Sequence, residues 1–309
     1  MTRVAVVGTG VIGASWTALF LARGLDVVAT DPAPDAEKRL RAGLAEHWPV
    51  LERRGLAEGA APDRLTFVTD PADAVAEAGF VQENGPERLD VKHQLFARLD
   101  AAAPPGTVLA SSSSGLLPSA IARGCPEHPE RVLIGHPFHP PHLIPLVEVV
   151  PGERTSPGAV DQAMAFYRQV GKRPIHVRQE LPGHIANRLQ AALWREAYSL
   201  VDRGVASVAD IDTAIAHGPG LRWAILGPFL NQHLSGGAGG IAHVLAHLGP
   251  PMEAWWNDLG RPALTPELVA ALVAGVDAEL AGISAADLEA RRDTVLDALL
   301  AAKAQEDLP

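Results

Sequence analysis

Three histidines and a glutamate share one short stretch, Ile134-Gly-His-Pro-Phe-His-Pro-Pro-His-Leu-Ile-Pro-Leu-Val-Glu148-Val-Val. His136 stands where an apolar strand pattern gives way to a proline-rich loop, and Glu148 stands inside the next apolar run. A carboxylate among Leu, Val and Val is costly to bury unless a partner meets it. An imidazole is such a partner, and the pair makes a base. The carboxylate fixes the ring tautomer and stabilises the imidazolium that forms on proton uptake. The plainer expectation for Glu148 alone is an edge strand facing solvent. A third reading uses the spacing of His136, His139 and His142, since an extended proline-rich stretch has three residues per turn and lines three rings along one side. Three neutral imidazoles are a metal set, but one extended stretch rarely wraps three ligands round an ion, so no metal is expected.

The second chemical feature is Gly8-Thr-Gly10-Val11-Ile12-Gly13, a full G-x-G-x-x-G. By itself the pattern marks only a tight turn. Here it follows the apolar run Val4–Val7, opens a helical pattern, and is followed by Asp31 at the end of a second strand pattern, residues 26–30. Those contexts together predict a dinucleotide site. Gly8 serves the tight turn, Gly10 the close approach of a pyrophosphate, and Gly13 the packing of helix on strand. The amides of the helix start face the phosphates. A carboxylate at Asp31 accepts from ribose hydroxyls and repels a 2′-phosphate, and Pro32, Ala33 and Pro34 offer no arginine to NADP. The predicted cofactor is NAD.

The elements that must position these residues follow from the same patterns. A strand, glycine turn, helix and strand make a βαβ unit, which requires a parallel sheet. Further apolar runs at 65–68, 80–81, 107–110, 131–135, 146–150 and 174–177 extend it, with a helical stretch at 91–102. At Pro182–Gly183 the pattern changes. From His184 onward, Ile185, Leu189, Leu193, Ala197 and Leu200 recur on one helical face, and glycine–proline breaks separate further helices. The Ala-rich tail from Pro266 reads as two more helices. The expected fold is α/β, a doubly wound Rossmann-type domain over residues 1–181 followed by an all-helical domain over 182–309.

Composition narrows the class. A chain of 309 residues suits two domains of roughly 150 residues each. The net charge of −10 argues against nucleic acid or an anionic membrane as partner. Apolar stretches fall short of the ~20 residues that cross a bilayer, and the start of the chain is expected to carry no leader. A single cysteine, Cys125, excludes an intrachain disulfide and points to a cytoplasmic setting. It reads as a passenger thiol.

As an ordered set, several segments resemble the 3-hydroxyacyl-CoA dehydrogenase superfamily over essentially the whole chain. They are the glycine fingerprint, Pro86-Glu87-Arg88-Leu89-Asp90-Val-Lys92, Ala110-Ser-Ser-Ser-Ser114-Gly-Leu, His136 with its LVEVV strand, and the LPGHIANRL segment containing Asn187. The resemblance implies that His136 is the base, Glu148 its partner, Ser114 a donor to the reacting oxygen, and Asn187 a group that positions substrate and histidine at a domain cleft. Glu87 and Lys92 match positions near the nicotinamide ribose. Read without it, Ser111–Ser114 is a polar turn and Asn187 a polar residue at a helix start. One departure stands out: the family usually has Asn where His139 stands, which bears on loop geometry and substrate preference.

The segment around Gly218, Arg222 and Trp223, and the Trp255–Trp256 pair, resemble the branch that acts on carnitine and gulonate. Arg222, in a glycine-lined loop, is a candidate clamp for a free carboxylate, with a surface salt bridge as the equal alternative. Trp194, Trp223, Trp255 and Trp256 are candidate faces for a quaternary ammonium, although helix packing is the simpler role for each. The expected substrate is a small 3-hydroxy or 3-keto acid. A 3-hydroxyacyl-CoA, a diketo ester, or a crystallin-like non-enzymatic role remain alternatives. A homodimer through the helical domain is expected from the resemblance.

Overall fold

A computed structural model describes residues 3–306 and Leu308. In the first part of the chain, strands alternate with helices. The elements are β1 (Arg3–Val7), α1 (Val11–Ala22), β2 (Asp26–Thr30), α2 (Ala36–Arg53), β3 (Leu65–Val68), α3 (Pro71–Val75), β4 (Phe80–Glu83), α4 (Leu89–Ala102), β5 (Val108–Ser111), α5 (Pro118–Ala122), β6 (Val132–Pro137), β7 (Leu146–Pro151), α6 (Pro157–Gln169) and β8 (Arg173–His176). They form one sheet in the order β3-β2-β1-β4-β5-β6-β7-β8. Every neighbouring pair is parallel except β6 and β7.

The strands are short apolar runs rather than alternating ones because both faces of the sheet are covered. Val4 and Val6 join one core, with Trp16, Phe20, Phe80 and Tyr167, while Ala5 and Val7 join another, with Phe96, Leu109 and Ile134. Helix α1 is buried all round from Gly13 to Ala22, as a helix central to such a layer must be. From β1 the chain winds outward through β2 and β3, then crosses to β4 on the other side. Open α/β sheets bind ligands at such a reversal, beyond the carboxyl ends of the strands.

The rest is helical: α7 (Ala186–Asp202), α8 (Val208–Ala216), α9 (Pro219–Ile225), α10 (Pro228–Ser235), α11 (Gly240–Asp258), α12 (Pro266–Leu280) and α13 (Ala285–Gln305). Helices α8, α12 and α13 start on Ser207, Thr265 and Ser284, whose hydroxyls accept first-turn amides. Among the described residues no single helix is long and apolar enough to cross a membrane.

Two compact units divide at Arg188 and Leu189, seven residues beyond the 181/182 boundary expected from the sequence. The reason is local: His184 bonds the carbonyl of Ser113, and the amides of Ile185 and Ala186 bond Glu148. The Pro182–Gly183 break therefore bends the chain without leaving the first unit. It also delays the helix, since His184 has φ +49° and α7 begins only at Ala186.

Candidate active site

The first glycine turn has the geometry that its spacing predicts. Gly8 has φ +88°, and a Cβ there would sit 2.8 Å from the backbone of Asn84. A Cβ on Gly13 would lie 1.9 Å from the Gly8 carbonyl oxygen, so helix and turn touch there only because residue 13 is glycine. A Cβ on Gly10, by contrast, would meet nothing. No side chain caps α1 and no acidic residue occupies its first turn. The amides at Val11, Ile12 and Gly13 therefore keep their hydrogens for an anion. Asp31 takes the Thr9 amide on one carboxylate oxygen, at 2.7 Å, and the Ala33 amide on the other, at 2.9 Å. Each oxygen retains a lone pair for a hydroxyl. An open glycine, a bare helix start and an acceptor at Asp31 fit a pyrophosphate joined to an unphosphorylated ribose.

The other chemical group is built across β6 and β7. His136 and Glu148 are opposite residues in that antiparallel pair, so their side chains leave the sheet on the same face. His136 Nδ1 lies 2.8 Å from Glu148 Oε2. Glu148 is fully buried because β8 pairs with the far side of β7, so it does not face solvent on an edge strand. Burial by itself would raise the Glu148 carboxyl, but the His136 N–H and the amides of Ala186 and Ile185 outweigh it and hold the group below its ordinary range. A carboxylate only accepts, so His136 Nδ1 carries the hydrogen and Nε2 is the bare nitrogen. That nitrogen lies 3.2 Å from Ser114 Oγ, and Ser114 is exposed while His136 is buried. The bare nitrogen of the buried imidazole thus meets an exposed residue, Ser114.

Four consecutive serines have four different jobs. Ser111 Oγ donates to Glu83 at 2.6 Å, Ser112 Oγ to Asn84 at 2.7 Å, and Ser113 Oγ to Glu87, while Ser114 meets His136. Glu87 also accepts the amides of Gly115 and Leu116. Its pKa is held low by these donors against the opposing effect of burial. Asn84 Nδ2 reaches the Gly8 carbonyl at 3.4 Å, and Gln82 Nε2 reaches both Ser112 Oγ and the Gly135 carbonyl. A continuous hydrogen-bonded path therefore joins the glycine turn to the strand bearing His136. Gln82, Glu83, Asn84 and His184 escaped the sequence reading. The VQEN run following an apolar strand was the available signal, because buried polar residues need partners.

Other expected site residues stand differently. Lys92, expected near a ribose, is buried, with its ammonium on both oxygens of Glu83 and on the Gly85 carbonyl. Its three protons are taken, and it ties Glu83 to the Gly85 backbone just after β4. His142 turns to Ser15, 2.8 Å from its Oγ, and stacks on His47 at 4.2 Å. His139 is exposed. Among the described residues no group of three possible ligands is placed to hold a metal. Asn187 is half-buried one residue past Ala186, with no hydrogen-bond partner for its side chain among the described residues. Arg222 and Trp223 lie in the second unit on helix α9 rather than in a loop, because Pro219 starts a helical turn directly after Gly218. Arg222 is exposed and its guanidinium has no partner among the described residues, so the alternative of a surface salt bridge finds none. Nor do the tryptophans serve as core: Trp194, Trp223, Trp255 and Trp256 are 44–63% exposed. Cys125 is buried and its thiol is pushed up to about 12, chiefly by burial, which makes it inert.

Residues 3–181 match the family model for the 3-hydroxyacyl-CoA dehydrogenase NAD binding domain, and residues 183–277 match the C-terminal domain of the same family. The L-carnitine dehydrogenase of Streptomyces griseus is 56% identical over 97% of this chain and 89% of its own length. That of Bacillus cereus is 48% identical over 96% and 91%. Among solved structures, the NAD+-dependent 5-formyl-3-hydroxy-2-methylpyridine 4-carboxylic acid 5-dehydrogenase superposes with a TM-score of 0.82, at 29% identity and 98% coverage of both chains. A diketoreductase superposes at 0.65, with 27% identity over 81% of this chain and 92% of the other. The glycine turn, the cofactor-competent helix start and the paired imidazole thus sit in a chain that belongs to the 3-hydroxyacyl-CoA dehydrogenase family of NAD-dependent oxidoreductases.

Proposed function

We propose that this chain oxidises the 3-hydroxyl of a small free hydroxy acid to the 3-keto acid, with L-carnitine as the substrate. The observation that carries the reading is the Ser114–His136–Glu148 chain, buried at the carboxylate and open at the serine. Its support in specificity is the run of relatives, 48–56% identical, that bear the name L-carnitine dehydrogenase.

NAD supplies the acceptor for the carbinol hydrogen, at the nicotinamide C4. Val11, Ile12 and Gly13 would hold its pyrophosphate and Asp31 its adenosine ribose. Glu87, which braces the serine turn, would stand by the nicotinamide ribose. His136 takes the hydroxyl proton on Nε2. Glu148 keeps the ring in the Nδ1–H tautomer and balances the charge that the ring gains. Ser114 donates to the reacting oxygen, and the free amide of Asn187 orients the substrate beside it. On the second unit, Arg222 is exposed and without a partner among the described residues, a guanidinium suited to a carboxylate, and Trp223 offers an exposed face suited to a quaternary ammonium.

The second unit works as a dimerisation surface. Beyond Arg188, Val244 and Leu268 are the only apolar residues buried among those described, while Phe229, Leu234, Trp255, Trp256 and Val295 are each more than 60% exposed. Apolar surface of that extent marks an interface, and a second copy of the chain is the partner. The single buried Cys125 suits the cytoplasm. The deciding experiment offers L-carnitine, L-gulonate, 3-hydroxybutyrate and 3-hydroxybutyryl-CoA with NAD and follows nicotinamide absorbance. Reduction with carnitine foremost is expected; no reduction with any of them ends the reading.

A further inference from the structure

His184 is buried without residual exposure, yet its backbone has φ +49°, a conformation that residues bearing a Cβ enter at a cost. Gly183 before it has φ +76°. These two left-handed residues turn the chain so that the next two amides, Ile185 and Ala186, both reach Glu148 Oε1, at 2.8 and 2.9 Å. The side chain acts at the other end of the same relay. Its Nε2 lies 3.1 Å from the Ser113 carbonyl, one residue before Ser114, and its ring centroid lies 5.2 Å from that of His136. One residue therefore touches what holds Glu148 on one nitrogen of His136 and what holds Ser114 on the other.

Simple packing does not explain an imidazole here. The Ser113 carbonyl only accepts, so Nε2 carries the hydrogen, and Nδ1 is left buried without a partner among the described residues. A phenyl ring would fill the space without that orphaned nitrogen, whose burial is costly. Burial also holds His184 below its ordinary range. The Ser113 carbonyl, Glu148 and Glu87 pull it the other way, and His136 pushes it further down. A neutral His184 places no second positive charge beside the ring that must accept the proton.

We propose that His184 is a positioning residue for the oxidation, its ring clamping the Ser113 carbonyl while its left-handed backbone aims two amides at Glu148. This rests on His136 being the base. The test compares His184→Phe, His184→Gln and His184→Asn in the full chain with NAD and L-carnitine. Glutamine carries an N–H donor to the Nε2 position, whereas asparagine tolerates the backbone but stops short of Ser113. His184→Phe should lower kcat about 10- to 100-fold, the scale of a small misplacement of catalytic groups. KM and NAD affinity should stay within about twofold. His184→Gln should recover most of the loss and His184→Asn little of it.

A wild-type kcat in His184→Phe, or equal rates for the Gln and Asn variants, overturns the proposal. The second comparison decides it if the Phe variant does not fold. An activity-independent readout is the downfield ring N–H resonance of the His136–Glu148 bond. It should move in His184→Asn and stay in His184→Gln, and an unmoved resonance in both overturns the clamp. If the wild-type chain reduces no NAD with any hydroxy acid, the reading of His136 falls, and this resonance still decides the placement of His184.

Discussion

Glu148 stands directly across the β6–β7 ladder from His136, with 2.8 Å between Oε2 and Nδ1. Antiparallel register makes this contact: opposite residues share a face, and a slip by one residue would send the two side chains to opposite sides of the sheet. His136→Ala should therefore cut turnover about 10²- to 10⁴-fold, the usual contribution of a general base. NAD affinity, read by fluorescence titration, should hardly change. Glu148→Gln keeps the shape but donates where the carboxylate accepts, so turnover should fall with it. A His136→Ala enzyme that retains its turnover would remove the pair from the chemistry.

Asp31 does two things at once. It accepts the Thr9 and Ala33 amides, and in the proposed reading it also accepts the ribose hydroxyls. Asp31→Ala should weaken NAD by loosening the glycine turn as well as by losing the ribose contact. Adding an arginine at Ala33 should shift preference towards NADP, because a guanidinium suits the 2′-phosphate that the carboxylate repels. The ratio of kcat/KM for the two cofactors measures this. An unchanged ratio removes Asp31 from the site.

For Arg222, exposed on α9 without a partner among the described residues, the prediction separates charge from shape. Arg222→Leu should raise KM for carnitine and other free acids by about 10-fold or more, the loss expected when a charged hydrogen-bonding partner is removed. KM for the matching ester should change little. Equal effects on acid and ester reject the clamp.

His142 sets a pH dependence of stability rather than of chemistry. Burial, helped by His47, Lys172, His139 and Arg54, lowers it to about 3 in the folded chain, against an unfolded value of about 6.5. Between those values the unfolded chain binds the proton and the folded chain does not. Stability is thus fully present above the unfolded value and is lost as pH falls towards the folded one, by up to about 1.4 kcal/mol per pH unit. Urea midpoints of wild type and His142→Gln, measured from pH 7 to pH 4, should converge as the pH falls. Parallel curves would show that His142 does not carry the effect.

The division of labour between sequence and fold follows the range of the interactions. Glycine spacing, the acidic residue after the second strand and the helix-start hydroxyls act within a few residues of themselves. The dinucleotide turn, the cofactor choice implied by Asp31 and the succession of strands into helices were therefore readable from order alone. His136 and Glu148 were recognisable as types, since a charge in an apolar strand asks for a partner. Their pairing required an antiparallel β7 between β6 and β8, and no local preference encodes that register. Ser111–Ser114 read as a single polar turn, and only the packed sheet separated them into bonds to Glu83, Asn84, Glu87 and His136. Tertiary structure also decided that Lys92 pairs with Glu83, that Arg222 is helical, and that His184 braces the relay. Each depends on residues distant in the chain arriving at hydrogen-bond range, where burial makes an unmet polar group too costly to keep.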